Sequence, residues 1–388
     1  MSGAKIVVAP NGFKESLTAF DACLAISRGV RLAWPEAEIV ERPLADGGDG
    51  TLEVLVASTG GTIRHAKVLD PLGREVRASF GILGDGTTGV VEMSRASGLA
   101  LLAKKERNPL QTTSIGTGQL IRAALDAGMK RLVVGIGGSA TNDAGMGMAQ
   151  ALGARFRDGG GVPLEPVGKN LEKVRQVDLS ELDARLADVE ITVACDVENP
   201  LYGPNGAAYV YAPQKGACPT DVERLDKGLR CWAEAVEGTV RRSFADQPGM
   251  GAAGGLGAAL AALLGAELKS GVELVMDLYG LDADLRGSCL AVTGEGKLDD
   301  QTVFGKAPAL FAARAKKAGV PTVAIAGSIE GDRDKFREKG ISACFSMATA
   351  PMTLDACMAR AETLLTATSE EVIRLFRSGR KLGEPQWS

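Results

Sequence analysis

Residues 5–42 read KIVVAPNGFKESLTAFDACLAISRGVRLAWPEAEIVER, and this stretch decides the fold class. Lys5–Ala9 is a short apolar run of the kind buried on both faces of a parallel sheet. Thr18 then opens a helix, with Asp21 three residues on as a variant capping box. Ala19, Cys23, Ile26, Val30 and Ala33 recur at helical spacing, and Pro35 follows the end. Glu38–Arg42 predicts the next strand, and Thr51–Ser58 a short helix closed by Gly60 and Gly61. Strand, helix, strand, helix in succession is the α/β signature.

The rhythm changes after Thr62. Asp70-Pro71-Leu72-Gly73 and Gly84-Asp85-Gly86 are turn signals about a dozen residues apart. Strand-like segments at Glu75–Ile82 and Val90–Met93 then predict antiparallel hairpins, hence a second domain entered near residue 65. Helix and strand signals alternate again through Thr117–Ala127, Arg131–Ile136, Ala144–Leu152 and Glu190–Ala194. The last hundred residues return to plain α/β, with short strands at Leu290–Val292, Pro321–Ala326 and Ala343–Ser346. The expectation is therefore an α/β protein of two domains. A Rossmann- or flavodoxin-like parallel-sheet domain comprises residues 1–65 and 290–388, and an inserted second α/β domain spans 66–289.

Composition narrows the function classes. Lys and Arg number 44 against 48 Asp and Glu, a net charge of −4, so the basic footprint of a nucleic-acid or anionic-membrane binder is missing. A lone histidine, His65, makes a His-rich metal cage or a Ser-His-Asp mechanism improbable; it reads as an exposed residue near the domain junction. Seven cysteines without a CxxC pair suggest free thiols in a reducing cytoplasm. Pro248–Ala266 is uncharged over its whole length but rich in glycine, and reads as a buried small-residue helix behind a glycine loop rather than a membrane span.

Glycine is in excess, 50 residues of 388, and it collects where apolar strands end. Ala9 leads into Asn11-Gly12-Phe13-Lys14. The second strand leads into Asp46-Gly47-Gly48-Asp49-Gly50-Thr51, and Ile136 into Gly137-Gly138-Ser139-Ala140-Thr141-Asn142-Asp143. Ala194 leads into Asp196, Val292 into Thr293-Gly294-Glu295-Gly296-Lys297-Leu298-Asp299, and Ala326 into Gly327-Ser328. Ligands of open α/β sheets bind at the carboxyl ends of strands. Amides freed by glycine cradle phosphate oxygens. Carboxylates in the same loops make sense if a hard cation such as Mg²⁺ sits between. Glycine amides, carboxylates, Mg²⁺ and lysine are the parts of phosphoryl transfer. The P-loop GxxxxGK[ST] is absent, as are the protein-kinase motifs. Gly135-Ile136-Gly137-Gly138-Ser139-Ala140 fits the dinucleotide fingerprint, with Asp158 at the acidic position. An NAD(P)-dependent oxidoreductase of a small hydroxy acid is thus the alternative reading, and a non-catalytic small-molecule sensor a third.

In this order the segments IVVAPNGFKESLTA, LADGGDGT, GIGGSATNDAG, ACDVENPLYGPNGA, APQKGA, GAAGGLGAALAALLGAELKSGVE and VTGEGKLDDQT resemble the bacterial glycerate kinase family, over nearly the whole chain. The resemblance implies a two-domain α/β fold with its active site in the interdomain cleft. It also implies Mg-ATP and glycerate as substrates, most simply with phosphorylation at the 2-hydroxyl, and leaves a homodimer open. The family usually reads Asp-Ser at Asn11-Gly12, Glu at Gln119 and Gly at Ala144. On this reading Asp196, or else Asp143, is the base, and Lys14 balances charge. Gly137, Gly138, Ser139, Thr141, Gly294, Gly296 and Lys297 meet phosphate. Asp46 and Asp299 lie near the metal, and Arg95, Lys215 and Asn11 bind the acceptor.

Overall fold

The computed structural model describes residues 4–382 apart from 49, 301, 303 and 304, so Asp49 of the Asp46–Thr51 loop lies outside the described residues. Among them the strands in chain order are β1 (Lys5–Val8), β2 (Glu38–Glu41), β3 (Thr62–Leu69), β4 (Glu75–Ile82), β5 (Thr88–Glu92), β6 (Arg131–Gly135), β7 (Arg155–Arg157), β8 (Gln176–Asp178), β9 (Glu190–Ala194), β10 (Glu267–Lys269), β11 (Leu290–Leu298), β12 (Thr322–Ile329) and β13 (Ile341–Ser346). They fall into two compact units. One is built from the chain ends, up to Ala45 and from Val272; the other is Asp46–Gly271.

The first unit holds a parallel sheet in the order β13-β12-β11-β1-β2. Counted within the unit this is 2-1-3-4-5, the order of flavodoxin-like doubly wound sheets, which switches direction between β1 and β11. Both faces of β1 are buried, which is why its sequence is continuously apolar. Ile6 and Val8 pack with Ala22, Ile26 and Leu365 on one side, Val7 and Ala9 with Ala291 and Phe311 on the other. The helix Ala19–Ala33 is capped as its sequence predicts: Thr18 Oγ1 accepts the Asp21 N–H at 3.1 Å and donates to Asp21 Oδ2 at 2.6 Å.

The second unit carries a mixed sheet, β10-β9-β6-β5-β4-β3. Its first four strands are parallel, while β4 and β3 are antiparallel hairpin strands turning through the Asp70–Gly73 signal. A separate two-stranded ladder pairs β7 with β8. A left-handed turn at Ala253, Gly254 and Gly255 leads into the buried small-residue helix expected in the uncharged stretch, which runs on to Leu264. No helix among the described residues is long and apolar enough to cross a membrane. His65 is exposed in β3.

The units divide near 45 and 271, about twenty residues ahead of the expected 65 and 289. Packing explains both shifts. The helix Thr51–Thr59 joins the second unit, where the Leu52 N–H donates to buried Glu92 at 2.9 Å. Val272, Met276, Leu281 and Leu285 complete the core beneath β1 and β11 in the first.

Candidate active site

The carboxyl ends of β6 and β9 frame a pocket of about 410 Å³ that lies wholly within the second unit. Two glycines bring its walls together. A Cβ at Gly135 would stand 2.6 Å from the Gly47 carbonyl oxygen, and one at Gly47, itself left-handed with φ +82°, would stand 2.5 Å from the Ala194 Cβ. The Asp46–Gly48 turn is thereby laid against both strand ends. Asp46 and Asp196 are exposed in the lining, as is Gly138 of the loop after β6, with Gly137 and Ser139 beside it half-buried. Asp46 Oδ1 accepts the Gly48 N–H at 3.1 Å, and Asp196 Oδ1 the Gly271 N–H at 3.0 Å.

Three residues expected at the ligand lie beneath this loop. Thr141 and Asp143 are fully buried, and Thr141 Oγ1 has no hydrogen-bond partner among the described residues. Asp143 is not in the lining either. Its Oδ2 accepts from Ser114 N–H and Oγ, both 2.7 Å, and from Gly147 N–H at 3.2 Å; Oδ1 accepts from Gly145 N–H at 3.2 Å. Burial pushes its carboxyl pKa up, against four donated bonds that favour the charged form. Lys215 is 1% exposed, and its Nζ donates to the Thr141 carbonyl at 2.7 Å. It therefore fixes the loop from below instead of meeting an acceptor in the pocket.

Burial also drives the Lys215 pKa down to about 7, with Asp143 pulling the other way. Between about 7 and the ordinary 10.5, the unfolded chain holds a proton that the folded chain has lost. Stability then rises with pH across that window, by at most about 1.4 kcal/mol per pH unit. Thermal melts from pH 7 to pH 9 should show this gain in the wild type and a flatter profile in Lys215→Met. Equal profiles would refute the assignment.

Arg95 is also spent. Its guanidinium pairs with Glu92 at 2.7 Å and with Glu53 at 2.6 Å, so it stabilises the fold outside the pocket lining. Asp158 of the dinucleotide fingerprint closes a local turn, accepting from the Gly160 and Val162 amides at 2.9 Å each, which leaves that motif without its ribose-binding carboxylate.

In the first unit, the expected loop at Thr293–Asp299 is mostly strand. β11 runs on to Leu298, pairing Gly294 with Ile325 and Lys297 with Ser328. Gly294 lets β12 approach, a Cβ there standing 2.2 Å from the Ile325 carbonyl oxygen, and Gly296 lies in the same strand beside Phe13 and Lys14. Lys297 pairs with Glu330 at 2.8 Å, and Asp299 with Lys306 at 3.0 Å. Lys14 is exposed in the turn between Phe13 and Leu17. Buried Glu295, which the sequence reading gave no role, accepts from Thr302 Oγ1 at 2.9 Å, and its pKa is raised by burial. No group of three His, Cys, Asp or Glu side chains among the described residues is placed to hold a metal ion. Asp46 lies in the pocket lining and Asp299 is paired with Lys306, and among the described residues neither belongs to such a group.

The departures at Asn11 and Gln119 have local explanations, and that at Ala144 carries a local cost. Asn11 Oδ1 accepts the Gly12 N–H at 2.8 Å, and Gln119 Oε1 the Leu69 N–H at 2.7 Å, work that an amide oxygen does as well as a carboxylate. Ala144 is left-handed, φ +51°, a conformation that costs a non-glycine residue roughly 1–2 kcal/mol.

Tyr211 and Gln214 also line the pocket, and sequence reasoning gave them no role. Tyr211 immediately precedes the APQKGA segment and Gln214 lies within it, and the Tyr211 hydroxyl donates to Asn199 Oδ1 at 2.6 Å.

Comparison with known proteins agrees with the motif order. The model of the glycerate kinase family matches residues 6–377. Glycerate 2-kinase of Escherichia coli K12 is 48% identical over 351 residues, 90% of this chain and 92% of that protein. Glycerate kinase of Bacillus subtilis 168 is 46% identical over 95% of this chain and 96% of its own length. A crystal structure from Salmonella typhimurium LT2, assigned as glycerate kinase 2, superposes with a TM-score of 0.90 at 44% identity and covers 98% of this chain and all of that one. With matches of this strength over nearly all of an α/β chain, the protein belongs to the glycerate kinase family.

Proposed function

We propose that this protein transfers the γ-phosphoryl group of ATP to the 2-hydroxyl of glycerate, giving 2-phosphoglycerate and ADP. The observation that carries the reading is the joining of two carboxylates and a run of glycine amides in one pocket, in a chain with a 48% identical relative named glycerate 2-kinase. The hydroxyl oxygen attacks the γ-phosphorus in line, the bond to the β-phosphate oxygen breaks, and a carboxylate takes the hydroxyl proton. We assign that proton to Asp196, since Asp143 is sealed beneath the loop. Mg²⁺ enters as part of the Mg-ATP substrate, a role for which a cation that keeps most of its waters needs few protein ligands. The seven free cysteines fit a reducing cytoplasm. The segment 46–271 reads as a domain inserted in sequence into a doubly wound one.

The test couples ADP release to D-glycerate and L-glycerate, then offers the product directly to enolase. Direct consumption is expected and marks a 2-phosphate. Product that enolase takes only after a mutase would move the reaction to the 3-hydroxyl, and no ADP release with either isomer would overturn the reading.

A further inference from the structure

We propose that the carboxylate of the acceptor is held by the three successive amides of Gly137, Gly138 and Ser139, and that Asp46 and Asp196 each take one of its two hydroxyls. The proposal rests on the glycerate kinase reading above and deepens it. Three observations support it.

First, residues 137–139 line the pocket, and their N–H groups donate to no backbone carbonyl among the described residues. The loop is anchored through other atoms, with Leu99 N–H donating to the Gly138 carbonyl at 2.8 Å and Ala140 N–H to the Ser97 carbonyl at 2.9 Å. Gly138 is left-handed, φ +71°, and one left-handed residue in such a run turns successive amides toward a common centre that suits an anion.

Second, no lysine or arginine side chain among the described residues lines this pocket, and the two cations expected to meet the acceptor are held elsewhere. Arg95 is paired with Glu92 and Glu53, and Lys215 is bonded to Thr141. Backbone dipoles are then the positive groups that this lining itself offers an anion.

Third, the charge pattern selects which anion. Two carboxylates in one small pocket oppose a polyphosphate tail. A hydroxy acid with two hydroxyls brings one negative group for the amides and two O–H donors for the carboxylates. The polar groups thus suit glycerate, with amides for its carboxylate and a carboxylate for each hydroxyl.

Amide hydrogen exchange on the wild-type enzyme tests this without a variant. Peptides covering residues 136–140 are followed with glycerate, with glycerol (which lacks the carboxylate) and with Mg-ADP, singly and in combination. Adding glycerate, with or without nucleotide, should slow exchange in that segment, by up to about 100-fold at a hundred times the dissociation constant. Glycerol should leave it unchanged. Protection that follows Mg-ADP irrespective of glycerate would overturn the proposal and give these amides to the nucleotide. Glycerate-dependent ADP release from the same sample, without protection of 136–140, would also overturn it while leaving the kinase reading intact. Absence of that ADP release would sink the kinase reading itself.

Discussion

Asp196→Asn should lower kcat for glycerate phosphorylation by about 10²–10⁴-fold, the usual contribution of a positioned general base. The residue follows β9, directly at the pocket, and is exposed there to a substrate. Asparagine is the informative replacement because its amide oxygen can still accept the Gly271 N–H now held by Asp196 Oδ1. Alanine would leave that N–H without its acceptor and mix a structural loss with a catalytic one. The variant should melt close to wild type and lose the acid limb of its pH–rate profile, because the limb reports protonation of the base. Near-normal kcat with the limb intact would remove Asp196 from the reaction. A raised glycerate KM with unchanged kcat would make it a binding group only.

What the sequence disclosed, and what it hid, follows the range of the interactions. The opening strand, the Thr18 cap and the helix after it were legible because a helix start and a buried strand are written in neighbouring residues. The Gly137–Ser139 loop was legible for the same reason: glycines that let chains approach at a strand end are visible in one short window. The fate of the cations was not. Arg95 pairs with Glu53, 42 positions away, as well as with nearby Glu92, and Lys215 donates to a carbonyl 74 positions away; no local pattern encodes the two distant pairings. β11 misled for a different reason. Glycine inside a strand reads as a loop, yet here the strand continues because β12 pairs along it as far as Leu298. The domain boundary differs because the apolar residues of helix Thr51–Thr59 name no particular sheet; the packing of Leu52 and Val56 against Gly81 of β4, with the long-range bond from Leu52 to Glu92, assigns it to the second unit.

Asp143→Ala should cost the second unit about 3–5 kcal/mol, the range for removing one member of a buried charged network. The side chain is wholly buried and satisfies four donors, three of them backbone amides from two chain segments, 114 and 145–147. Alanine leaves those donors without an acceptor in a site closed to water, at about 1–3 kcal/mol each before relaxation. It also leaves the Lys215 ammonium without the nearby negative charge that favours its protonated form. At about 2–4 °C per kcal/mol for a unit of this size, the melting transition should fall by roughly 6–20 °C. Asp143→Asn should do only somewhat better, since its amide group presents donors to a site already crowded with them. A shift below about 2 °C would mean the loop is held by other contacts. A dead enzyme with an unchanged melt would restore Asp143 as the base and displace Asp196. Scanning calorimetry and turnover on one preparation separate these outcomes, because a network residue loses stability first and activity only as the loop above it loosens.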